Sequence, residues 1–208
     1  MNAGENSKAE QTGADAQTQA APRRCAWVNL KNPLYVQYHD TEWGVPLHDD
    51  RALFELLILE GFQAGLSWEC ILNKRAHFRA AYDGFDVEKV SRYGGEKIEA
   101  LLSDEGIIRN RRKVLASIAN ANIFRQIQAE YGSFDAYIWH FTGGKTIDES
   151  YTVRTTSPLS DQISNDLKKR GMRFVGSTVI YSYLQSIGVL FAHGPECDCR
   201  PRGRGIAP

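Results

Sequence analysis

The sequence predicts an all-α protein, on three observations. Apolar residues recur at helical spacing, as at Leu53, Phe54, Leu57 and Ile58, which fall on one helical face. Helix-starting chemistry stands just ahead of such runs, as in Asn32-Pro33 and Ser67. No alternating apolar pattern reaches the length of a convincing strand.

In order along the chain, Asn32 caps a helix that has Pro33 at its first position. Asp49 or Asp50 caps the helix carrying the 53–58 face, with Gly61 and Gly65 punctuating its end. Ser67 caps the next, running towards Tyr82, and Asp86 and Glu96 begin shorter helical pieces. Residues 109–130 read as a long helix with Val114, Leu115, Ile118, Ala119 and Ile123 inward. Ser133 opens a short helix with Phe134, Tyr137 and Ile138. The stretch 142–157 reads as a loop with strand-like residues but no partner. Pro158 then starts a helix to Arg170, and Ser177 one to Gly188. No internal repeat is present, and no heptad pattern is sustained.

A length of 208 residues suits one domain with a core of ordinary size, and 42% hydrophobic and 24% charged residues are normal for one. Residues 1–22 hold no aromatic, no Leu, no Ile and no Val, too little apolar surface to offset ordering entropy. They are expected to form a disordered leader, ahead of a domain at 23–199 and a basic tail at 200–208. Twenty-five basic residues balance 25 acidic ones, so any DNA footprint must come from local clusters. Arg109/Arg111/Arg112/Lys113, Lys168/Lys169/Arg170/Arg173 and Arg200/Arg202/Arg204 are such clusters, each equally readable as a solvated face. No stretch approaches the roughly 20 apolar residues of a membrane span. The N-terminus carries no apolar signal region. Four cysteines are too few for a disulfide scaffold, which points to a reducing, cytoplasmic setting with thiols or metal ligands. Cys70, in an apolar helix, is expected as a buried core thiol. Nothing in the sequence asks for an oligomer, so a monomer is expected.

Cys25, His39, His193, Cys197 and Cys199 lie near the two ends of the ordered region. Two thiolates and two imidazoles suit a closed, tetrahedral and therefore structural Zn²⁺ site. The C-x13-H spacing is too loose for a zinc signature, so unrelated terminal residues are an equal reading at this point. The run 167–179, Leu-Lys-Lys-Arg-Gly-Met-Arg-Phe-Val-Gly-Ser-Thr-Val, reads as helix, glycine hairpin, helix. The helix N-terminus at Gly176, Ser177 and Thr178 could hold a DNA phosphate. A plain helix–turn–helix connection explains the same pattern.

The densest run is Tyr35-x-x-Tyr38-His39-Asp-x-Glu42-Trp43-Gly-Val-Pro46 with Leu59-Glu60-Gly-Phe-Gln63-Ala-Gly65-Leu66-Ser67-Trp68. Aromatic faces and a carboxylate suit a flat polar ring, as when a flipped base is stacked and read at its edge. Core aromatics are the alternative for Tyr38, Trp43 and Trp68. Glu60 resists that reading, since an unpaired carboxylate is costly to bury.

These motifs closely resemble the bacterial 3-methyladenine DNA glycosylase I family. The shared text is C-x-W at 25–27, P-L-Y-x-x-Y-H-D-x-E-W-G-V-P at 33–46, L-F-E at 53–55 and L-E-G-x-Q-A-G-L-S-W at 59–68. It continues as G-I-I-R at 106–109, L-K-K-R-G-x-x-F-V-G-x-T at 167–178 and H-x3-C at 193–197, covering about residues 24–199. The resemblance implies a helix-hairpin-helix DNA glycosylase-like domain with a structural zinc joining the termini. Its zinc ligands are Cys25, His39, His193 and Cys197, leaving Cys199 outside. It implies a base pocket of Glu60, Tyr38 and Trp68 with Trp27, Tyr35 and Trp43 nearby, Glu60 carrying the chemistry. It places Gly65 and Leu66 where a side chain enters the duplex, and Gly176, Ser177 and Thr178 at the phosphate-gripping hairpin. The implied partner is double-stranded DNA containing alkylated adenine, and the implied product of this repair reaction is free 3-methyladenine. The catalytic Asp that many helix-hairpin-helix glycosylases carry after the hairpin is missing from 181–188, as in this family. Phe62 stands where some relatives have a polar residue, either against the pocket or simply packed.

Overall fold

The computed structural model describes residues 21–150 and 152–200. Its helices are α1 (Pro33–Thr41), α2 (Asp50–Gln63), α3 (Trp68–Ala81), α4 (Val87–Ser91), α5 (Gly95–Ser103), α6 (Arg111–Tyr131), α7 (Phe134–His140), α8 (Pro158–Lys169) and α9 (Ser177–Ser186). A 3₁₀ turn, Asp83–Phe85, joins α3 to α4. The expected leader at 1–22 and the tail at 200–208 lie almost wholly outside the described residues.

Local chemistry starts the helices as the sequence indicates. The side chains of Asn32, Asp49, Ser67 and Ser133 accept from N–H groups in the first turns of α1, α2, α3 and α7. Asp50 acts on a different helix. Its carboxylate accepts from the N–H groups of Phe134 (2.9 Å) and Asp135 (2.8 Å), capping α7 from across the fold.

Helix α2 is buried nearly all round and lies at the centre, against α3, α6, α7 and α9. A helix apolar on every face belongs inside a core. For that reason Gly61 does not end it, contrary to the sequence reading: the helix runs through Gly61 to Gln63. Phe62 packs on Phe78 and Tyr82 in the core and does not line the cavity at Glu60. Buried Arg75 of α3 donates to Glu55 of α2 (2.5 Å) and to Glu42 after α1 (2.6 Å), joining three elements through one guanidinium.

Helix α6 departs from its expected inward face. Val114 and Ile123 are buried, but Leu115 is 43% exposed and Ile118 and Ala119 are half-buried. The buried face instead includes Lys113, Ser117 and Asn120, whose polar atoms find distant partners. Cys70 is also only half-buried, because α3 turns Ile71, Leu72, Arg75 and Phe78 inward.

The 142–157 segment is expected from sequence to lack a strand partner, and it has one. Two-residue strands β1 (Ile147–Asp148) and β2 (Leu190–Phe191) pair in parallel, Ile147 opposite Leu190 and Asp148 opposite Phe191. Just before β2, the loop after α1 closes onto the end of α9, with Gly44 N–H donating to Gln185 O and Leu47 N–H to Ile187 O, both at 3.0 Å. Gly188 permits this approach. Its φ is +74°, and a Cβ there would fall 2.4 Å from the backbone of Val45 and Pro46. The loop carrying Trp43 is thereby fixed against α9.

Candidate functional site

Six segments converge on one cavity of about 200 Å³. Helix α1 supplies Tyr35 and Tyr38, one turn apart. Helix α2 supplies Glu60 and Gln63 from its last turn, and Trp68 opens α3. Trp43 comes from the loop pinned to α9, Trp27 from the N-terminal segment, and α9 adds Ser182 and Gln185. The structure thus gathers every sequence-predicted pocket residue. Gln63, Ser182 and Gln185 had no assigned role in the sequence. Ser182 and Gln185 stand at i and i+3 in α9 and so share one helical face, but Ser177, Thr178 and Ser186 make the helix mixed, and nothing in the sequence singles the pair out.

The walls are aromatic. Tyr38 and Trp68 have ring centroids 5.2 Å apart at 48°, and Trp27 meets Tyr35 at 5.4 Å and Trp43 at 4.8 Å. The floor is polar and unsatisfied. Glu60 is 3% exposed, and its Oε2 has no hydrogen-bond partner among the described residues; neither has the buried Trp68 Nε1. Buried polar atoms in native proteins are nearly always paired, so these two, on residues lining one cavity, mark it as a place for a hydrogen-bonding partner. Burial without a counter-charge pushes the Glu60 carboxyl from 4.5 up to about 8. Burial first, and the Glu60 charge second, raise Tyr38 well above the usual phenol, so it stays neutral.

Behind the aromatic wall lies a second cluster. One atom each of Cys25, His39, His193 and Cys197 lie within 4.8 Å of one another. Cys197 Sγ is 3.5 Å from His39 Nε2 and 3.4 Å from His193 Nδ1, and Cys25 Sγ is 3.8 Å from His193 Nδ1. Such separations suit ligands about 2.0–2.3 Å from a common Zn²⁺. The other ring nitrogens are engaged, His193 Nε2 on Trp43 O (2.9 Å) and His39 Nδ1 on Asp40 (2.7 Å), which fixes the orientation of both rings. Burial lowers the His193 pKa, favouring the neutral ligand form. Cys199 Sγ approaches His39 only on its Nδ1 side, at 3.8 Å. Rings join the two clusters: His193 packs on Trp43 (4.6 Å) and His39 on Trp27 (5.3 Å).

The remaining sequence candidates are separate from the cavity lining. Gly65 (φ +81°) and exposed Leu66 form the turn between α2 and α3. Gly171 adopts φ +102° in the turn after α8, and Gly176 opens α9 with no side-chain cap. The Ser177 hydroxyl is taken up by Asp161 and Ser160, so only its backbone N–H and that of Thr178 are available to an anion. The basic clusters divide. Arg109, Arg111 and Arg170 are ion-paired, Arg200 pairs with Asp148, and Lys113 is buried in the interior. Arg202 and Arg204 lie outside the described residues. Among the described residues no ion pair involves Arg112, Lys168 or Arg173. Among the described residues no helix is long and apolar enough to cross a membrane.

Fold and cavity describe a helical protein with an aromatic-walled, carboxylate-floored pocket beside a thiol–imidazole cluster. The methyladenine glycosylase family model matches residues 27–201, and the chain belongs to that family. DNA-3-methyladenine glycosylase 1 of Escherichia coli (strain K12) is 43% identical over 185 residues, 86% of this chain and 97% of that protein. A crystal structure of 3-methyladenine DNA glycosylase I has TM-score 0.82 and 42% identity, covering 86% of this chain and 100% of that one. A variant of 3-methyladenine DNA glycosylase I in complex with 3-methyladenine has TM-score 0.80 and 36% identity, covering 83% and 95%.

The buried carboxyl has a pH signature. Between 4.5 and about 8 the folded protein keeps a proton on Glu60 that the unfolded chain has released. The contribution of Glu60 to stability is therefore full below pH 4.5 and is lost as pH rises through about 8. The Glu60→Gln protein should gain stability relative to the parent progressively across that window, read as the difference in urea midpoints at each pH. A pH-independent difference would show that the carboxyl titrates normally.

Proposed function

We propose that the chain releases 3-methyladenine from alkylated double-stranded DNA, by receiving the flipped nucleotide in the pocket over Glu60. The observation that carries this reading is the pair of orphaned polar atoms, Glu60 Oε2 and Trp68 Nε1, enclosed by Tyr38, Trp68, Trp27, Tyr35 and Trp43. The relatives named above are 3-methyladenine glycosylases, one with that base bound, which supports the choice of substrate.

The chemistry follows from the substrate's charge. An N3-methylated adenine in DNA is cationic and leaves as a neutral base when the N-glycosidic bond breaks, so no acid has to protonate it. Water adds at the sugar carbon, and the proton it loses balances the reaction. Glu60 accepts hydrogen bonds from the base edge and, once ionised, stabilises a cationic ring in a site of low polarity. Tyr38 and Trp68 offer π faces that favour the same charge. A normal adenine is neutral and better paired, so it enters less readily. Leu66 fills the space the base leaves, and the α9 N-terminus at Gly176, Ser177 and Thr178 holds a backbone phosphate.

Cys25, His39, His193 and Cys197 would hold one Zn²⁺. With four protein ligands the metal leaves no open position, and what it supplies is structural. It would join the first and last described segments and hold the Trp27–Trp43 wall.

Incubation with methylated duplex DNA should liberate 3-methyladenine, with 7-methylguanine remaining in the polymer, as read by chromatography of the soluble bases. Glu60→Gln should slow release about 10- to 100-fold, the effect of losing one charge-assisted hydrogen bond in the transition state. Binding without any released base would contradict the enzyme reading. Metal analysis of the purified protein should return one zinc per chain, and chelation should lower Tm; metal-free protein of unchanged Tm would contradict the zinc assignment.

A further inference from the structure

Helix α6 carries three buried polar residues at i, i+4 and i+7: Lys113, Ser117 and Asn120. The partners of the two outer residues lie in different parts of the fold. Lys113 Nζ donates to Phe62 O (2.8 Å) and Ala64 O (2.7 Å), the carbonyls at the end of α2 that lead directly into Gly65-Leu66. Two turns on, Asn120 grips the hairpin in both directions: Nδ2 donates to Arg173 O (2.8 Å), and Oδ1 accepts from Arg173 N–H (2.9 Å). Between them Ser117 donates to Val114 O within α6 and meets Tyr82 OH.

The hairpin depends on this grip. Phe174, next to Arg173, has φ +57°, a region an aromatic residue rarely enters unless its surroundings impose it. Asn120 on one side and Ser164, whose hydroxyl donates to Val175 O (2.7 Å), on the other hold the backbone around it. Lys113 is equally telling, because a methionine there would fill similar volume without the cost of burying an ammonium group. What the ammonium adds is a fixed position for two particular carbonyls.

We infer that α6 acts as a spacer, with Lys113 and Asn120 as positioning residues that set the distance between the Leu66 turn and the 171–176 hairpin. Seven helical residues separate the two anchors by about 10 Å along a rigid rod. The inference rests on the reading of those two elements as DNA contacts. A phosphate held at the hairpin then presents the damaged nucleotide in register with Leu66. Neither Lys113 nor Asn120 lines the base pocket. Loss of either anchor should therefore spare recognition of a free base and impair recognition of the same base in duplex.

The test uses Lys113→Met and Asn120→Leu, singly and together, in the full chain, with Lys113→Arg as a charge-retaining variant and Leu66→Ala as the reference. Affinity for free 3-methyladenine is read by tryptophan fluorescence, and KM and kcat from base release on methylated duplex. Free-base affinity should stay within about twofold, while duplex KM rises about tenfold in each single variant, in keeping with the sensitivity of rates to small misplacements. Lys113→Arg, which moves the anchor without removing it, should show the same split. The double variant should fall well short of the product of the single effects, because register is lost once. Normal duplex KM in the folded single variants overturns the spacer, as do losses that multiply in full. Loss of free-base affinity in step with duplex KM also overturns it, since that marks general structural damage. Leu66→Ala separates the two readings. If it leaves kcat and KM untouched, the underlying DNA-contact reading fails; if it impairs release while the α6 variants behave as the parent, the spacer alone fails.

Discussion

The burial of one carboxyl group without a counter-charge organises the pocket. Other acids near the site are matched: buried Glu55 and half-buried Glu42 share Arg75, and Asp40 faces His39. Glu60 has no such neighbour, and desolvation alone drives its carboxyl up to about 8. An isolated ionised group at this depth would be strongly disfavoured, so the carboxyl is held as a neutral acid; under the proposed function, a cationic, hydrogen-bond-donating ring would favour its carboxylate form. The fold keeps it there by ending an all-round buried helix beneath the cavity, with core side chains Leu59 just before Glu60 and Phe62 two residues after it.

The aromatic walls need equally firm support, and it comes from two directions. Gly44 and Leu47 bond to the end of α9, where Gly188 admits the backbone of Val45 and Pro46. The Cys25/His39/His193/Cys197 cluster sits directly behind, its imidazoles packed on Trp27 and Trp43 and one of them bonded to the Trp43 carbonyl. A metal held by those four residues would act on the pocket only through the rigidity of its wall. The carboxylate-floored pocket and its support are thus two adjacent clusters that share aromatic surface.

Much of this is legible in the sequence where the cause is local. Asn32, Asp49, Ser67 and Ser133 announce helix starts because capping involves a side chain and N–H groups two or three residues on. The pocket residues are recognisable as a group through the family resemblance of their motifs; by chemistry alone Tyr38, Trp43 and Trp68 also read as core, and only Glu60 resists that reading. What escapes depends on distant partners. Leu115 reads as inward and Lys113 as a surface cation, yet the reverse holds, because the carbonyls that satisfy Lys113 lie some fifty residues earlier in the chain. Gly61 looks like a helix stop but sits inside α2, where tertiary packing overrides its low propensity. The strand pair β1–β2 is two residues long and has no periodicity to detect. Ser182 and Gln185 complete the pocket from a helix of mixed polarity that does not single them out.

The ionisation of Glu60 is the most direct measure of this account. Carboxyl ¹³C NMR on glutamate-labelled protein, with the signal assigned by its loss in Glu60→Gln, should show Glu60 titrating near 8 in the free protein. Addition of 3-methyladenine should move that midpoint down, as hydrogen bonds from the base favour the ionised form. A midpoint at an ordinary carboxyl value in the free protein, or one that ignores the base, would contradict it.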